Sequence, residues 1–399
     1  MTRRHFLSAS LALGAAAALG VPAARAAAGR ARLKPGAPGW PAEADWAGLN
    51  RATGGRLAPV TLPDLSDPAV RKLVANPFYV GDQPGLTQSY GWLDAWKTSP
   101  SAYVVAAESA ADVAAAVRFA RAHNLRLVVR GGGHSYLGAS NAPDSLMVWT
   151  RRMNAVSVHE AFTPQGSTAA PVPAVSLGAG CVWMDAYKAV TTGVGRYVQG
   201  GGCTTVGVAG LVQGGGFGSH SKSYGTAAAS LLEAEVVTAD GKVRIVNPAR
   251  EPDLFWALKG GGGGTFGVIT RLTLATHPLP TNLGGADLTL KANSDEAFRR
   301  LLTRFVDHYA THLFNPHWGE QVRARGDNSL VVSMVFQGLT TAEAKAAWQP
   351  LLDFVAASPS DYEVKRPLSA IAAPARMFWD ADMLQRFAPG QIVPDARPG

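Results

Sequence analysis

Four separate glycine runs constrain this chain more than any other feature. The sequence contains 44 glycines, and they cluster at Gly131–Gly133, Gly200–Gly202, Gly214–Gly216 and Gly260–Gly264. Collagen-like or linker glycine would be periodic or evenly spread. Glycine has no Cβ, so each run lets the backbone come close to a flat or anionic partner. The pattern therefore predicts a fold that brings several stretches of bare backbone against a bound ligand.

Composition narrows the class of protein. The 399 residues allow two domains of ordinary size, and 47% hydrophobic with 17% charged residues is a globular composition. The net charge is +8, but no five-residue window is dominated by Lys and Arg. We therefore expect no nucleic-acid partner. Cys181 and Cys203 are the only cysteines, too few for a disulfide framework or a structural zinc site, and we predict no metal.

The first 26 residues look like an export signal. Arg3-Arg4 is followed by Phe6-Leu7, a weakly hydrophobic stretch and then Ala24-Arg25-Ala26, where small residues suit a signal peptidase. We predict a twin-arginine signal over residues 1–26, recognition by the twin-arginine export machinery, and a periplasmic or extracellular location. The apolar run is short and diluted by alanine and glycine, so we expect no stable membrane anchor.

Periodicity along the chain predicts an α+β fold. After an irregular lead-in over residues 27–74, a strand at Tyr103–Val105 and a helix opened by a capping box at Ser109 precede a strand at Leu125–Val129. That strand runs directly into the first glycine run. Asp240-Gly241 predicts a hairpin. Past residue 280 glycines become fewer, so we expect one domain over residues 75–280 and a second over residues 281–399.

Two familiar phosphate cradles do not fit the glycine runs. A P-loop ends in Gly-Lys-Ser/Thr, and none of the four runs does. A dinucleotide fingerprint needs its glycines to open a helix, whereas Gly131–Gly133 leads into His134-Ser135-Tyr136, Gly138 and an Asn141-Ala142-Pro143 turn. The ligand contacts must therefore follow another pattern.

Three motifs together resemble a known family. Arg130-Gly131-Gly132-Gly133-His134-Ser135 resembles the FAD loop of the vanillyl-alcohol oxidase / PCMH-type flavoproteins, in particular their berberine-bridge-enzyme-like branch. Gly202-Cys203-Thr204-Thr205-Val206-Gly207, continuing to Gly218, is similar to the second FAD segment of that branch. Leu254–Gly260 through Phe266–Thr270 is similar to the third. The resemblance covers about residues 75–280 and implies a PCMH-type FAD-binding domain of two α/β subdomains, followed by a substrate domain of antiparallel sheet and helices.

The resemblance also implies roles for individual residues. His134 would bond to the flavin 8α-methyl group, Cys203 would form a second bond at flavin C6, and Val206 would admit molecular oxygen, since valine there is typical of oxidases. The backbone around the cofactor would be supplied by Arg130, Gly131, Gly132, Gly133, Ser135, Gly138, Gly207, Gly210, Gly214, Gly215, Gly216 and Gly218, with Gly267, Val268 and Ile269 at the adenine end.

Alternatives remain open for both attachment residues. His134 could be a hydrogen-bonded loop histidine in a noncovalent FAD site. Cys203 could instead form a disulfide with Cys181, which lies 22 residues away. The chain also departs from the family pattern, with Ala229 where an Asp is common and Thr265 where an Asn is common. It ends at Gly399 without the family's returning C-terminal element, which indicates a C-terminal truncation.

The function implied is that of an FAD-linked oxidase. Hydride would pass from a C–H of a sugar, alcohol or alkaloid-like small molecule to flavin N5, with oxygen as acceptor. The alternatives are a dehydrogenase with another acceptor and a truncated flavin-binding protein without activity. A base from the second domain would take the substrate proton. His308, Tyr309, His317 and Glu320 are candidates, and the sequence favours none of them.

Overall fold

The computed structural model describes residues 31–89, 99–319, 321–387 and 395. The predicted export signal over residues 1–26 lies outside them. The described chain forms three units, which we call the first unit (residues 31–150), the middle unit (151–280) and the third unit (281–387). Helices and sheets occur in all three, so the α+β prediction is confirmed.

The first unit is a four-stranded sheet in the order β1-β2-β4-β3. Strands β2, β3 and β4 are parallel, and β1 is antiparallel to β2. The helix between β2 and β3 begins at a capping box, in which Ser109 accepts from the Asp112 amide, and it buries Val113 and Val117. The elements are helix Glu43–Ala52, β1 Leu57–Pro59, helices Pro68–Val74 and Pro77–Gly81, β2 Tyr103–Ala106, helix Ala110–Ala122, β3 Arg126–Arg130 and β4 Ser145–Trp149.

The middle unit is a five-stranded antiparallel sheet in the order β5-β6-β10-β8-β9. The predicted Asp240-Gly241 hairpin joins β8 to β9. Its elements are β5 Val156–Phe162, β6 Val172–Gly178, helix Trp183–Tyr187, π-helix Lys188–Gly193, β7 Arg196–Tyr197, helices Val208–Gln213 and Ser221–Tyr224, β8 Leu231–Val237, β9 Val243–Val246, helix Pro252–Leu258, β10 Val268–Ala275 and β11 His277–Pro278, which pairs with β7.

The third unit is an antiparallel sheet in the order β13-β15-β12-β16, with β14 also paired to β15. Two helices cover one face around a core that includes Trp318, Phe336 and Trp348. The elements are β12 Asn282–Ala292, helix Asp295–His308, π-helix Tyr309–Leu313, β13 Trp318–Gly319, β14 Val322–Ala324, β15 Ser329–Gln337, helix Thr341–Ala356, β16 Tyr362–Pro374, a 3-10 turn Ala375–Met377 and helix Ala381–Phe387.

The lead-in over residues 27–74 was predicted to be irregular, and in its described part this is wrong. A helix spans Glu43–Ala52, where the Ala42 amide donates to the Asp45 carboxylate at 2.9 Å. Trp46 from this helix stacks on Tyr103 of β2 at 4.1 Å between ring centroids. The burial of Trp46 gives this segment a fixed structure that its proline-rich composition hides.

The third unit packs against the middle unit through the segment that follows the second glycine motif. Lys222 donates to the Leu313 carbonyl at 2.9 Å, and Tyr224 donates to the Gln337 side chain at 2.9 Å. Past β16 the chain returns to the middle unit, where Arg376 donates to the Gly193 carbonyl at 2.7 Å. Gln337 at the end of β15 and Pro374 at the end of β16 both lie beside the start of β12, so the two units are joined at this end of the third sheet.

Candidate functional site

The buried guanidinium group of Arg130 packs against the first glycine loop. Arg130, at the end of β3, is 0% exposed and donates to the carbonyls of Pro84 at 2.8 Å and Val80 at 3.0 Å. Burial lowers the pKa of Arg130 to about 10, so the group stays charged at neutral pH. Gly133 has φ +78°, and a Cβ there would lie 3.0 Å from the guanidinium. At Gly133 only the backbone is therefore left to face a ligand.

The first and second motifs meet backbone to backbone. A Cβ added at Gly132 would lie 2.7 Å from both the Gly207 nitrogen and the Thr205 carbonyl oxygen. A Cβ added at Gly207 would lie 2.8 Å from the Gly132 nitrogen. Contacts this short exclude any side chain at either position. Two loops about seventy residues apart in sequence are thereby brought together, as the ligand prediction requires.

The same loop contact brings the two predicted attachment residues together. The Nε2 atom of His134 lies 3.0 Å from Thr205 Oγ1, and the Sγ atom of Cys203 lies 3.6 Å from the same hydroxyl. His134 is half-buried and Cys203 is exposed. Burial lowers the pKa of His134 to about 4, so its imidazole is neutral and nucleophilic at neutral pH.

Cys181 and Cys203 are both free, so the structure does not contain the disulfide that the sequence left open. Cys181 is buried, and burial raises the pKa of its thiol to about 12. It is therefore an inert core thiol. Cys203, by contrast, lies exposed on the loop that carries Thr205.

The remaining glycine runs lie against one another in the middle unit. The Gly262 amide donates to the Gln213 carbonyl at 2.8 Å, and a Cβ at Gly260 would lie 3.6 Å from the Gly215 Cα atom. A Cβ at Gly218 would overlap the Gly200 carbonyl oxygen. A different group of predicted site glycines has open space, or only one distant atom, where a Cβ would stand: Gly138, Gly210 and Gly215.

The predicted adenine end lies beside a cavity between the first and middle units. Gly267 and Val268 line this cavity of about 800 Å³ together with Val129 of β3 and Asp240 of the hairpin. The side chains of Val268 and Ile269 are both 3% exposed and belong to the cores. Only the backbone of these two residues can therefore meet a ligand. Neither His134 nor Cys203 lines this cavity, so the cavity is separate from the predicted attachment residues.

The segments predicted to hold the flavin also expose large apolar side chains. Leu137 is 95% exposed and Phe217 is 63% exposed. Val206, the predicted oxygen gate, is half-buried between Thr205 and Gly207 and packs against the core of the middle unit. Exposed apolar groups beside bare backbone are typical of a surface that a flat ligand covers.

The candidate bases named from the sequence lie elsewhere. His308 is 1% exposed and packs on Trp348 at 5.6 Å between ring centroids, so it is a core residue. The Tyr309 hydroxyl accepts from Lys222 at 3.2 Å, and His317 Nδ1 lies 2.9 Å from the Gln337 carbonyl. Glu320 lies outside the described residues. None of the contacts in the described chain brings these groups to His134.

Sequence reasoning missed the open face of the third sheet. The face opposite the helices turns toward the middle unit, because a Cβ at Gly319 would meet both Val335 and the Ser219 carbonyl oxygen. Across this face Gly319 pairs with Val335, and Val335 pairs with Gly285. Two residues further along β12, roughly 7 Å away, Asp287 lies half-buried.

Asp287 stands between two hydroxyl groups on that face. It pairs with Ser333 of β15 on one side and with Ser369 of β16 on the other. Within the part of the chain that the structure describes, no hydrogen bond or ion pair occupies its carboxylate. The alternation of Ala286 and Leu288 with Gly285 and Asp287 in the sequence could have identified this polar face.

The described residues supply no metal site and no membrane helix. They contain no cluster of three or more potential metal ligands. Across the same residues every helix is too short or too polar to cross a bilayer.

Comparisons with known proteins agree with this geometry. Residues 100–247 match the FAD binding domain family. The FAD-linked oxidoreductase asqF of Emericella nidulans is 38% identical over 300 residues, which cover 64% of this chain and 50% of that protein. The chain thus spans about half the length of this curated relative.

Solved structures share the fold. The VAO-type flavoprotein MtVAO615 from Myceliophthora thermophila C1 superposes with a TM-score of 0.77 at 29% identity, over 90% of this chain and 68% of that chain. Glucooligosaccharide oxidase from Acremonium strictum superposes with a TM-score of 0.57 at 21% identity, over 75% of this chain and 58% of that chain. The motif resemblance is confirmed at this level: residues 100–247 are an FAD binding domain, and the chain shares its fold with VAO-type flavoproteins and with berberine bridge enzyme from Eschscholzia californica.

Proposed function

We propose that the protein is an FAD-linked oxidoreductase that holds its flavin covalently. The observation that carries this proposal is the Thr205 hydroxyl, which lies 3.0 Å from His134 Nε2 and 3.6 Å from Cys203 Sγ. A neutral imidazole and an exposed thiol stand side by side where the two glycine motifs meet. When bound, FAD accepts two electrons and a proton from a substrate C–H.

The residues present fit an FAD molecule. The loops that meet at Gly132 and Gly207 bring bare backbone together, and Gly210 and Gly215 have no atom within 4 Å of a Cβ position, so backbone there can contact a pyrophosphate or ribityl chain directly. The flavin 8α-methyl group and C6 lie on one benzenoid ring, so two attachment bonds require two nucleophiles close together. Glucooligosaccharide oxidase from Acremonium strictum carries a 6-S-cysteinyl, 8α-N1-histidyl FAD. We infer the same pair of bonds here, through His134 and Cys203.

The substrate side of the site is the open face of the third sheet. Asp287 offers a carboxylate without a partner in the described chain, flanked in register by Ser333 and Ser369. Such a group can accept a proton from a substrate hydroxyl or amine, while the two serines hydrogen-bond further polar atoms. We therefore propose a small sugar, alcohol or alkaloid-like substrate, with Asp287 as the proton acceptor.

Two further properties complete the proposal. Val206 adjoins Thr205 on the flavin loop, and valine there supports molecular oxygen as the electron acceptor. A covalent cofactor cannot be lost in transit, which suits a protein that folds and loads FAD before twin-arginine export to the periplasm or the extracellular space. An enzyme that passes its electrons to another acceptor would produce negligible hydrogen peroxide during turnover.

Flavin fluorescence on a denaturing gel tests the attachment. After expression with ample riboflavin, we expect the denatured wild-type chain to fluoresce. His134→Ala and Cys203→Ala should each weaken the covalent signal, and the double variant should abolish it. Colourless wild-type protein would overturn the proposal, and full covalent signal in the double variant would overturn the assignment of the two residues.

Reduction by substrate tests the sheet face. Once a compound is found that bleaches the bound flavin, Asp287→Asn should slow the reduction by roughly 10²–10⁴-fold, the usual contribution of a general base. Flavin content and thermal stability should not change. Ser369→Ala is the matched control on the same face, and we expect it to slow reduction by at most about tenfold, the effect of one lost neutral hydrogen bond. Unchanged reduction in Asp287→Asn would place the base elsewhere.

A further inference from the structure

We propose that Thr205 is the positioning residue for covalent flavin attachment. Its hydroxyl accepts a hydrogen bond from Nε2 of His134, which leaves Nδ1 to attack the flavin, and it donates a hydrogen bond to the sulfur of Cys203. This inference rests on the proposed function, because it assumes that FAD binds at these loops. It concerns a residue to which neither the motifs nor the family resemblance gave a role.

The position of Thr205 is fixed by its surroundings. Thr205 is 3% exposed, and its carbonyl oxygen faces Gly132, where no Cβ fits. The backbone on either side is anchored as well, because the Thr204 and Val206 carbonyls accept from Met184 and Trp183, each at 3.0 Å. A β-branched side chain on such a backbone has little rotational freedom. Its hydroxyl is therefore a fixed reference point for both nucleophiles.

The donors and acceptors that Thr205 and His134 offer decide which imidazole nitrogen of His134 carries the proton. A threonine hydroxyl has one proton and two lone pairs, and a neutral imidazole has one N–H and one bare nitrogen. If Nε2–H of His134 donates to Thr205, the Thr205 proton is free to donate to the Cys203 sulfur. That arrangement leaves the lone pair of Nδ1 free to attack. It also stabilises negative charge on the sulfur, and the thiolate is the nucleophilic form of cysteine.

The chemistry balances with oxygen as the oxidant. At His134 one N–C bond forms, and the imidazole N–H and one 8α C–H are lost as two protons. The two electrons released pass into the flavin and then to O₂, which takes up two protons and becomes H₂O₂. At Cys203 one S–C bond forms, the thiol hydrogen and the hydrogen at flavin C6 leave as protons, and two electrons again reach O₂. The Thr205 oxygen accepts a hydrogen bond from Nε2–H of the imidazolium formed by attack, the Nε2 proton then leaves to water, and Thr205 itself is unchanged.

Matched substitutions isolate the hydroxyl. Thr205→Val keeps the shape and removes the hydroxyl, Thr205→Ser keeps the hydroxyl, and Thr205→Ala removes the hydroxyl without adding a second methyl. The full chain would be expressed with riboflavin and its total flavin measured by absorbance. Covalent flavin would be measured by denaturing-gel fluorescence and intact mass. Thermal unfolding would show which variants fold.

We expect the wild type and Thr205→Ser to carry covalent flavin. Thr205→Val and Thr205→Ala should bind FAD but attach it roughly ten- to hundredfold more slowly, the effect of losing one hydrogen bond to a charged group. Isolated histidyl-flavin from the wild type should be linked through Nδ1. Should Thr205→Val misfold, Thr205→Ala supplies the same comparison.

Each other result overturns the inference without ambiguity. If folded Thr205→Val and Thr205→Ala attach flavin as fast as the wild type, the hydroxyl has no positioning role. The same follows if folded Thr205→Ser fails with them, or if the wild-type linkage is through Nε2. In those cases the wild type still carries flavin, so the proposed function stands. Wild-type protein without any flavin would instead refute the proposed function itself.

Discussion

Replacing Gly132 with alanine tests whether the two glycine motifs meet as the structure shows. The added methyl group would lie 2.7 Å from the Gly207 nitrogen and 2.7 Å from the Thr205 carbonyl oxygen. Ordinary contacts of a Cβ atom begin near 3.4 Å. Because both neighbours are backbone atoms, no side-chain rotation can relieve the overlap. One of the two loops must move away from the other.

Two opposing effects set the change in the free energy of unfolding that Gly132→Ala causes. Overpacking a tight site costs about 1–3 kcal/mol, and here the overlap falls on two backbone atoms at once. Alanine also restricts the unfolded chain more than glycine, which offsets about 0.4–1 kcal/mol. The net expectation is a loss of about 1–2 kcal/mol in the free energy of unfolding, together with displacement of Thr205 from His134.

A second glycine of the same motif provides the matched control. Gly210 lies inside the helix Val208–Gln213, and a Cβ there would have no atom within 4 Å. Alanine in a helix is favoured over glycine by about 0.5–1 kcal/mol, so Gly210→Ala should be as stable as the wild type or more stable. If the flavin lies over Gly210 as predicted, this variant should lose flavin content while it keeps its stability.

Urea unfolding followed by circular dichroism, with flavin absorbance measured on the same samples, separates these effects. Gly132→Ala should show a lower unfolding free energy and less covalent flavin than the wild type. A Gly132→Ala protein that matches the wild type in both measurements would refute the loop contact. The shared position of His134 and Cys203 would then lose its structural basis.

Two other predictions concern the third unit and its contact with the middle unit. Burial lowers the pKa of His308 from 6.5 to about 4, so only the unfolded chain takes up this proton between those pH values, and stability falls as the pH drops through that window. Between pH 7 and pH 5, the free energy of unfolding of His308→Phe should fall by about 1–2 kcal/mol less than that of the wild type. Thermal unfolding at both pH values measures this difference, and equal pH dependence of the two proteins would contradict the prediction. Lys222→Met removes a 2.9 Å bond to the Leu313 carbonyl across the contact between the units, and should cost about 1–2 kcal/mol. The exposed Lys188→Met is its control, and limited proteolysis that cuts both variants at the same rate would show that Lys222 does not hold the units together.

Features set by local chemistry could be predicted from the sequence. The capping box at Ser109, the Asp240-Gly241 hairpin and the capping of the helix Thr341–Ala356 by Thr340 all depend on residues within a few positions of one another. The glycine motifs also indicated the ligand correctly at the level of the FAD binding domain. In each case the pattern of residues contains the physical cause.

Features set by distant contacts could not be predicted. The helix Glu43–Ala52 has alanine at its N-cap and depends on Trp46 packing against Tyr103, more than fifty residues away along the chain. Thr205 looks like an ordinary loop residue until the fold brings His134 to its hydroxyl. Asp287 likewise gains its two flanking serines only when three strands pair in register. Sequence patterns identify which residues face the same way, but only pairing decides what lies beside them.

The segment from Gly214 to Tyr224 links cofactor binding to the docking of the third unit. Its first part is the third glycine run, which contacts the fourth run near Gly260, and its last part bonds the third unit through Lys222 and Tyr224. The two parts are joined by Ser219, whose carbonyl oxygen faces Gly319 at the edge of the open sheet face. We therefore expect a ligand that orders the glycine motif also to stabilise the position of that sheet face. Since linkage is reciprocal, we expect docking of the third unit to tighten flavin binding by the same factor.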